Sequence, residues 1–137
     1  ILVGHSYGAY TLFRILSECY QESWVKYVHS FLTVAPALLL CKRSQFSGNP
    51  NFSPIDFQHV FTLPIKFRNI YCVNDFVAHP SNSEYLTKIM EDHKADYHVN
   101  AVDDFPINSH FGGDKHYPVP IINEELVKLI DDAKSGL

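Results

Sequence analysis

The sequence has 137 residues, 46% hydrophobic and 19% charged, the composition of a globular protein with apolar material for one core, not of a disordered or fibrous chain. Its net charge of −4 gives no electrostatic reason for nucleic acid or an anionic membrane to be the main partner, and it suits a neutral substrate. No signal peptide is visible, and no apolar run approaches the roughly 18 residues of a spanning helix.

The chain opens on Ile1-Leu2-Val3, which reads as the carboxyl end of a buried strand, apolar throughout because a parallel sheet is covered on both faces. A start inside a strand, without an initiator Met, makes residues 1–137 read as the second part of a longer domain. On that reading the earlier strands are missing, and the apolar edge at Ile1-Leu2-Val3 would make this stretch aggregate by itself. From Ala9 to about Cys19, Leu12, Phe13, Leu16 and Cys19 recur at helical spacing. A second strand is expected at Tyr27–Val34, ended by Ala35-Pro36.

The stretch from Cys41 to Pro64 lacks clean periodicity and reads as a long connection with a short helix around Pro54–Val60. Ile65–Val73 reads as a third strand, Ser81 or Ser83 as the cap of a helix running to about Asp92, and Tyr97–Val102 as a fourth strand. Asn123 is expected to cap a last helix that turns Leu126, Leu129 and Ile130 inward, with Glu124 and Glu125 at its positive end. Strands alternating with helices predict an α/β protein with a mostly parallel sheet flanked by helices. Cys19, Cys41 and Cys72 lack metal-type spacing and read as free thiols; a secreted or lysosomal protein could pair two of them, and a cytosolic one would keep all three reduced.

Between the first strand and the first helix stands Gly4-His5-Ser6-Tyr7-Gly8. Chance places Gly-x-Ser-x-Gly in about one chain in twenty of this size, so the flanking strand and helix carry the argument. In that context the glycines permit a turn too tight for side chains, which holds the serine oxygen exposed, the nucleophile elbow of an α/β-hydrolase fold. His5 reads as a packing residue. A serine hydroxyl needs a histidine to take its proton and a carboxylate to orient that histidine, in the chain order Ser, acid, His at the carboxyl edge of the sheet. Asp75, directly after the third strand, fits the acid, whereas Asp56 lies in the irregular connection. His110 follows the fourth strand and precedes Phe111-Gly112-Gly113, which favours it as the base over His116. The backbone N–H of Tyr7 would be one oxyanion donor. This chemistry calls for no metal and no cofactor.

Gly4-His5-Ser6-x-Gly8, Phe31-Leu32-x-x-Ala35-Pro36, Asn74-Asp75-x-x-Ala78-x-Pro80 and Ser109-His110 together resemble the acid-lipase branch of the α/β-hydrolases, the lysosomal, gastric and steryl-ester lipases. The resemblance implies the carboxyl-terminal half of that fold, with Ser6, Asp75 and His110 as nucleophile, acid and base. Only 39 positions separate Pro36 from Asp75, too few for the lid the family inserts there, and Gly112 stands where the family tends to have an acidic residue. General esterases, monoglyceride lipases and acyl thioesterases share the triad order without needing the lid.

The expected activity is therefore hydrolysis of carboxylic esters of lipids or other apolar acyl substrates through an acyl-enzyme. Phe46, Phe52, Phe57 and Phe61 are candidates for the acyl pocket, although aromatic residues more often pack a core. The expected partner is a small-molecule ester or lipid, a substrate compatible with peripheral contact at a lipid surface. An acyl thioesterase and a catalytically inactive binding protein of the same fold are the alternatives. A secreted or lysosomal location would go with the acid-lipase resemblance, and a cytoplasmic one with a general esterase.

Overall fold

The computed structural model describes residues 1–40, 55–72, 75–79, 96–99 and 119–136, with the side chains of residues 72, 96–99, 119 and 121 left aside. Four strands, β1 (Leu2–His5), β2 (Ser30–Val34), β3 (Lys66–Cys72) and β4 (Asp96–Val99), lie side by side in chain order. All three neighbouring pairs are parallel. Every strand therefore points its carboxyl end at the same edge of the sheet, and the turns after β1 and β3 meet there. The predicted helix capped by Ser81 or Ser83 and the predicted strand residues 100–102 lie outside the described residues.

The faces of the sheet separate by the two-residue period of a strand. Leu2, Phe31 and Phe67, aligned across β1, β2 and β3, belong to a core shared with helix α1 (Tyr7–Glu18) and helix α2 (Phe57–Thr62). Leu32, Val34 and Ile70 face the other way, onto Leu129 and the partly buried Ile122 and Leu126 of helix α3 (Val119–Ser135). The product is a three-layer α/β arrangement, as the alternation of elements predicts.

The centre of the first core is aromatic. Phe13 of α1 lies with ring centroids 5.2 Å from Phe31, 5.3 Å from Phe57 and 5.5 Å from Phe67, and Phe61 lies 4.8 Å from Phe67. Such edge-to-face and offset pairs add to area burial. Phe57 and Phe61, two of the candidates for an acyl pocket, are thus core residues that fix α2 against α1. Phe46 and Phe52 lie outside the described residues. Asp56 also acquires a structural role, since its Oδ1 accepts the His59 N–H at 3.2 Å as the cap of α2. That cap starts the helix at Phe57, three residues later than the expected Pro54.

One level nearer the carboxyl edge, the row Leu2–Phe31–Phe67 is followed by Gly4–Thr33–Asn69. Thr33 Oγ1 donates to Asn69 Oδ1 at 2.7 Å, both side chains being fully buried. Asn69 Nδ2 has no acceptor among the described residues. An unsatisfied buried donor of this kind costs about 1–3 kcal/mol.

Three expectations need correction. Helix α3 starts at Val119, so Asn123 is inside it and caps nothing; Pro120 sits in the first turn, where its missing N–H has no intrahelical acceptor to lose. Glu124 and Glu125 consequently lie in the second turn, away from the positive end. Glu125 is buried and bonded to Lys128 Nζ at 2.9 Å, with Arg68 Nε 3.8 Å away. Second, β1, at the expected apolar edge, is covered among the described residues on one face instead of both, because α3 packs over β2 and β3. Val3 is 50% exposed. His5, two positions on along the same open face, is exposed instead of packed. Third, β2 begins at Ser30, since Val25–Tyr27 form a 3₁₀ turn ahead of it.

Cys19 is a half-buried free thiol; Cys41 and the Cys72 side chain lie outside the described set. At the amino end of β3, Lys66 Nζ bonds Asp132 Oδ2 of α3 at 2.9 Å. The ammonium holds the Asp132 carboxyl below its ordinary range.

Candidate active site

Ser6 joins β1 to α1 with φ 49° and ψ −119°. A positive φ is uncommon for a residue with a side chain, and such a conformation costs of order 1–3 kcal/mol unless its surroundings enforce it. Here four backbone hydrogen bonds do so. The Ser6 N–H donates to Val34 O at 3.0 Å, and the Ser6 carbonyl accepts from Ala9 N at 3.2 Å, Tyr10 N at 3.3 Å and Ala37 N at 3.1 Å. Serine at a helix start ordinarily turns its hydroxyl back to cap the first turn. Ser6 stands at that position and makes no side-chain cap.

Only one of the two motif glycines is demanded by space. A Cβ on Gly4 would lie 2.6 Å from Ala9 Cα and 2.9 Å from Ala9 N, a collision with backbone, whereas a Cβ on Gly8 would meet nothing within 4 Å. The tight feature is therefore the crossing of the strand end beneath the helix start. Gly8 needs another reason, and none is visible in its packing. Tyr7, the expected oxyanion donor, is the first residue of α1. N–H groups of a first helical turn have no intrahelical acceptors and lie at the positive end of the helix dipole, which favours developing negative charge beside Ser6.

A second strained residue, Ala35, follows β2. It has φ 46°, is fully buried and donates its N–H to Ile70 O at 2.9 Å. The chain around it is clamped to the serine turn from both sides, through Ser6 N to Val34 O and Ala37 N to Ser6 O. It is also clamped to the turn after β3, through Leu39 N to Val77 O at 3.0 Å. Sequence reasoning took Ala35-Pro36 for a strand terminator and missed this clamp. An alanine carries no signal for positive φ, so nothing local could have revealed it.

Asp75 is fully buried in that third turn. Its Oδ1 accepts the N–H groups of Val77 at 2.9 Å and Ala78 at 3.0 Å, and its carbonyl accepts from His79 N at 2.9 Å. The side chain closes an Asx-type turn that fixes the carboxylate. His79 is half-buried with its ring edge-on to Tyr71 at 5.6 Å.

The serine turn and the Asp75 turn thus stand at the ends of β1 and β3, two strand spacings or about 9.5 Å apart between strand axes. An imidazole with a hydrogen bond of about 2.8 Å on either side fills a gap of that order. His110 and His116 lie outside the described residues.

A cleft of about 250 Å³ lined by Val60, Phe61, Lys66 and Asp132, among others, opens at the amino end of β3, the edge away from Ser6. It takes no part in this arrangement. Among the described residues no group of three or more His, Cys, Asp or Glu could hold a metal ion, and no helix is long and apolar enough to cross a membrane.

No protein-family model, curated protein or solved structure matches this chain. The functional reading therefore stands on the residues and their geometry.

Proposed function

We propose that the protein is a serine hydrolase of the α/β-hydrolase kind that cleaves carboxylic esters of apolar acyl groups, with residues 1–137 belonging to its catalytic domain. The observation that carries the reading is the Ser6 turn, a strained serine held between strand and helix by four backbone bonds and not used as a helix cap. Strain maintained by so many bonds is a mark of functional sites. Asp75, buried and oriented two strands away, supports it as the acid.

In this mechanism Ser6 Oγ attacks the ester carbonyl carbon while His110 takes the hydroxyl proton. The carbonyl oxygen, now an oxyanion, is met by the Tyr7 N–H. As the tetrahedral intermediate collapses, the bond to the alcohol oxygen breaks and His110 returns the proton to that leaving group. Water then attacks the acyl-enzyme by the same steps and releases the carboxylic acid. The Asp75 carboxylate, fixed by its turn, orients the imidazole.

The first test is pre-steady-state hydrolysis of p-nitrophenyl butyrate. The mechanism predicts a burst of p-nitrophenol close to one equivalent per protein wherever deacylation is the slower step, and steady turnover after it. Failure to release any p-nitrophenol above buffer controls would count against the reading.

A further inference from the structure

We infer that Tyr7 and Phe76 are the specificity-determining residues of this site, two aromatic jaws that grip the acyl chain of the substrate. The inference rests on the proposed function and adds to it the part of the substrate that is recognised. Tyr7 is 61% exposed and Phe76 57% exposed, and each directly follows one of the proposed catalytic residues in the chain. The other exposed large apolar residues of the described set stand elsewhere: Ile1 just before the edge strand and Val3 on it, Ile15 on the outer side of α1, Trp24 and Tyr27 ahead of β2, and Val127 on α3. Among the described residues, these two alone mark the carboxyl edge.

The Tyr7 ring is braced by a neighbour, and Phe76 stands on a turn closed by hydrogen bonds. Tyr7 stacks on Tyr10 with ring centroids 5.6 Å apart and 29° between planes. Tyr10 is itself buried, and its hydroxyl lies 3.4 Å from Arg14 Nη1. Phe76 occupies the outward position of the Asp75 turn, between a carboxylate that is fully buried and the Val77 and Ala78 amides bonded to it. The turn that draws Asp75 inward therefore projects Phe76 outward. Aromatic rings, with only two side-chain torsions and on backbone fixed in this way, offer large apolar contact at little cost in conformational entropy.

The occupant follows from the chemistry. The group that stays bound to Ser6 through both half-reactions is the acyl group, and its carbonyl sits at the Tyr7 N–H, one residue's reach from the Tyr7 ring. An acetyl group ends there. To touch Phe76 as well, a chain must cross from the end of β1 to the end of β3, about 9.5 Å, which asks for roughly eight carbons or more. The site should thus discriminate by acyl length, and the discrimination should fade when Phe76 is shortened.

The experiment measures kcat and KM for p-nitrophenyl acetate, butyrate and octanoate, each kept below its aggregation limit, with the parent protein, Phe76→Ala, Phe76→Leu and Tyr7→Leu. The expected result is a parent that prefers octanoate, a fall of about tenfold in the octanoate-to-acetate ratio of kcat/KM in Phe76→Ala, carried mainly by KM, and its recovery in Phe76→Leu. Tyr7→Leu, which keeps the backbone donor, should lower the same ratio. An active parent with an unchanged ratio in Phe76→Ala overturns the jaws and leaves the hydrolase reading standing. A ratio that changes only with emulsified ester also overturns them, in favour of contact with a lipid surface. A parent inactive on all three esters overturns both.

Discussion

Replacing Ser6 by alanine is expected to lower kcat for p-nitrophenyl butyrate by about ten-thousand-fold or more, because the nucleophile and the covalent route are lost together. Folding should be nearly unaffected. The Ser6 side chain makes no capping bond to α1, and the four bonds that enforce its conformation are made by the backbone, which alanine retains. A Ser6→Gly companion separates strain from chemistry. It should be just as inactive yet melt higher than Ser6→Ala, since glycine adopts φ 49° without the penalty borne by a Cβ. Residual activity near the parent rate in both variants would place the nucleophile elsewhere. Equal melting temperatures for the two would show that the turn is not strained.

The second large effect is on stability, and it distinguishes two glycines that the motif treats alike. Gly4→Ala drives a Cβ to 2.6 Å from the Ala9 backbone, where no side-chain rotation relieves the contact and β1 must part from α1. A loss of about 2–4 kcal/mol is expected, measured as a shift in the urea midpoint. Gly8→Ala puts a methyl group into open space on the first turn of a helix and should be neutral or stabilising by up to about 1 kcal/mol. Similar costs at both positions would contradict the geometry of the crossing.

That contrast also shows how far the sequence could be read. The order of strands and helices was legible because it rests on periodicity: Leu12, Phe13 and Leu16 announce α1, and the β-branched and aromatic runs announce β2 and β3. The tight turn at Ser6 was legible because a glycine at position 4 records a backbone crossing. The place of Asp75 at the carboxyl edge was legible because it stands just past a strand.

What escaped depends on which elements happen to pack together. Phe57 and Phe61 carry the same local pattern whether they line a pocket or meet Phe13 and Phe67 in a core. Val3 and His5 are left open because α3 lies over β2 and β3, a choice made by residues more than a hundred positions away. Asn123 is a good cap residue, but the stretch that includes Pro120 is tolerated in a first turn and lets α3 begin at Val119. Ala35 adopts a positive φ because the serine turn and the third turn pull on the chain from either side. Tyr7 and Phe76 look like ordinary core aromatics until the turns that expose them are seen.

The central claim is that Ser6 is an activated nucleophile, and fluorophosphonate labelling of the native protein followed by peptide mapping tests it most directly. The account predicts one covalent adduct, on Ser6, that disappears on denaturation before labelling and in the Ser6→Ala variant. A natively folded protein that takes up no label, or takes it up at a residue other than Ser6, would contradict it.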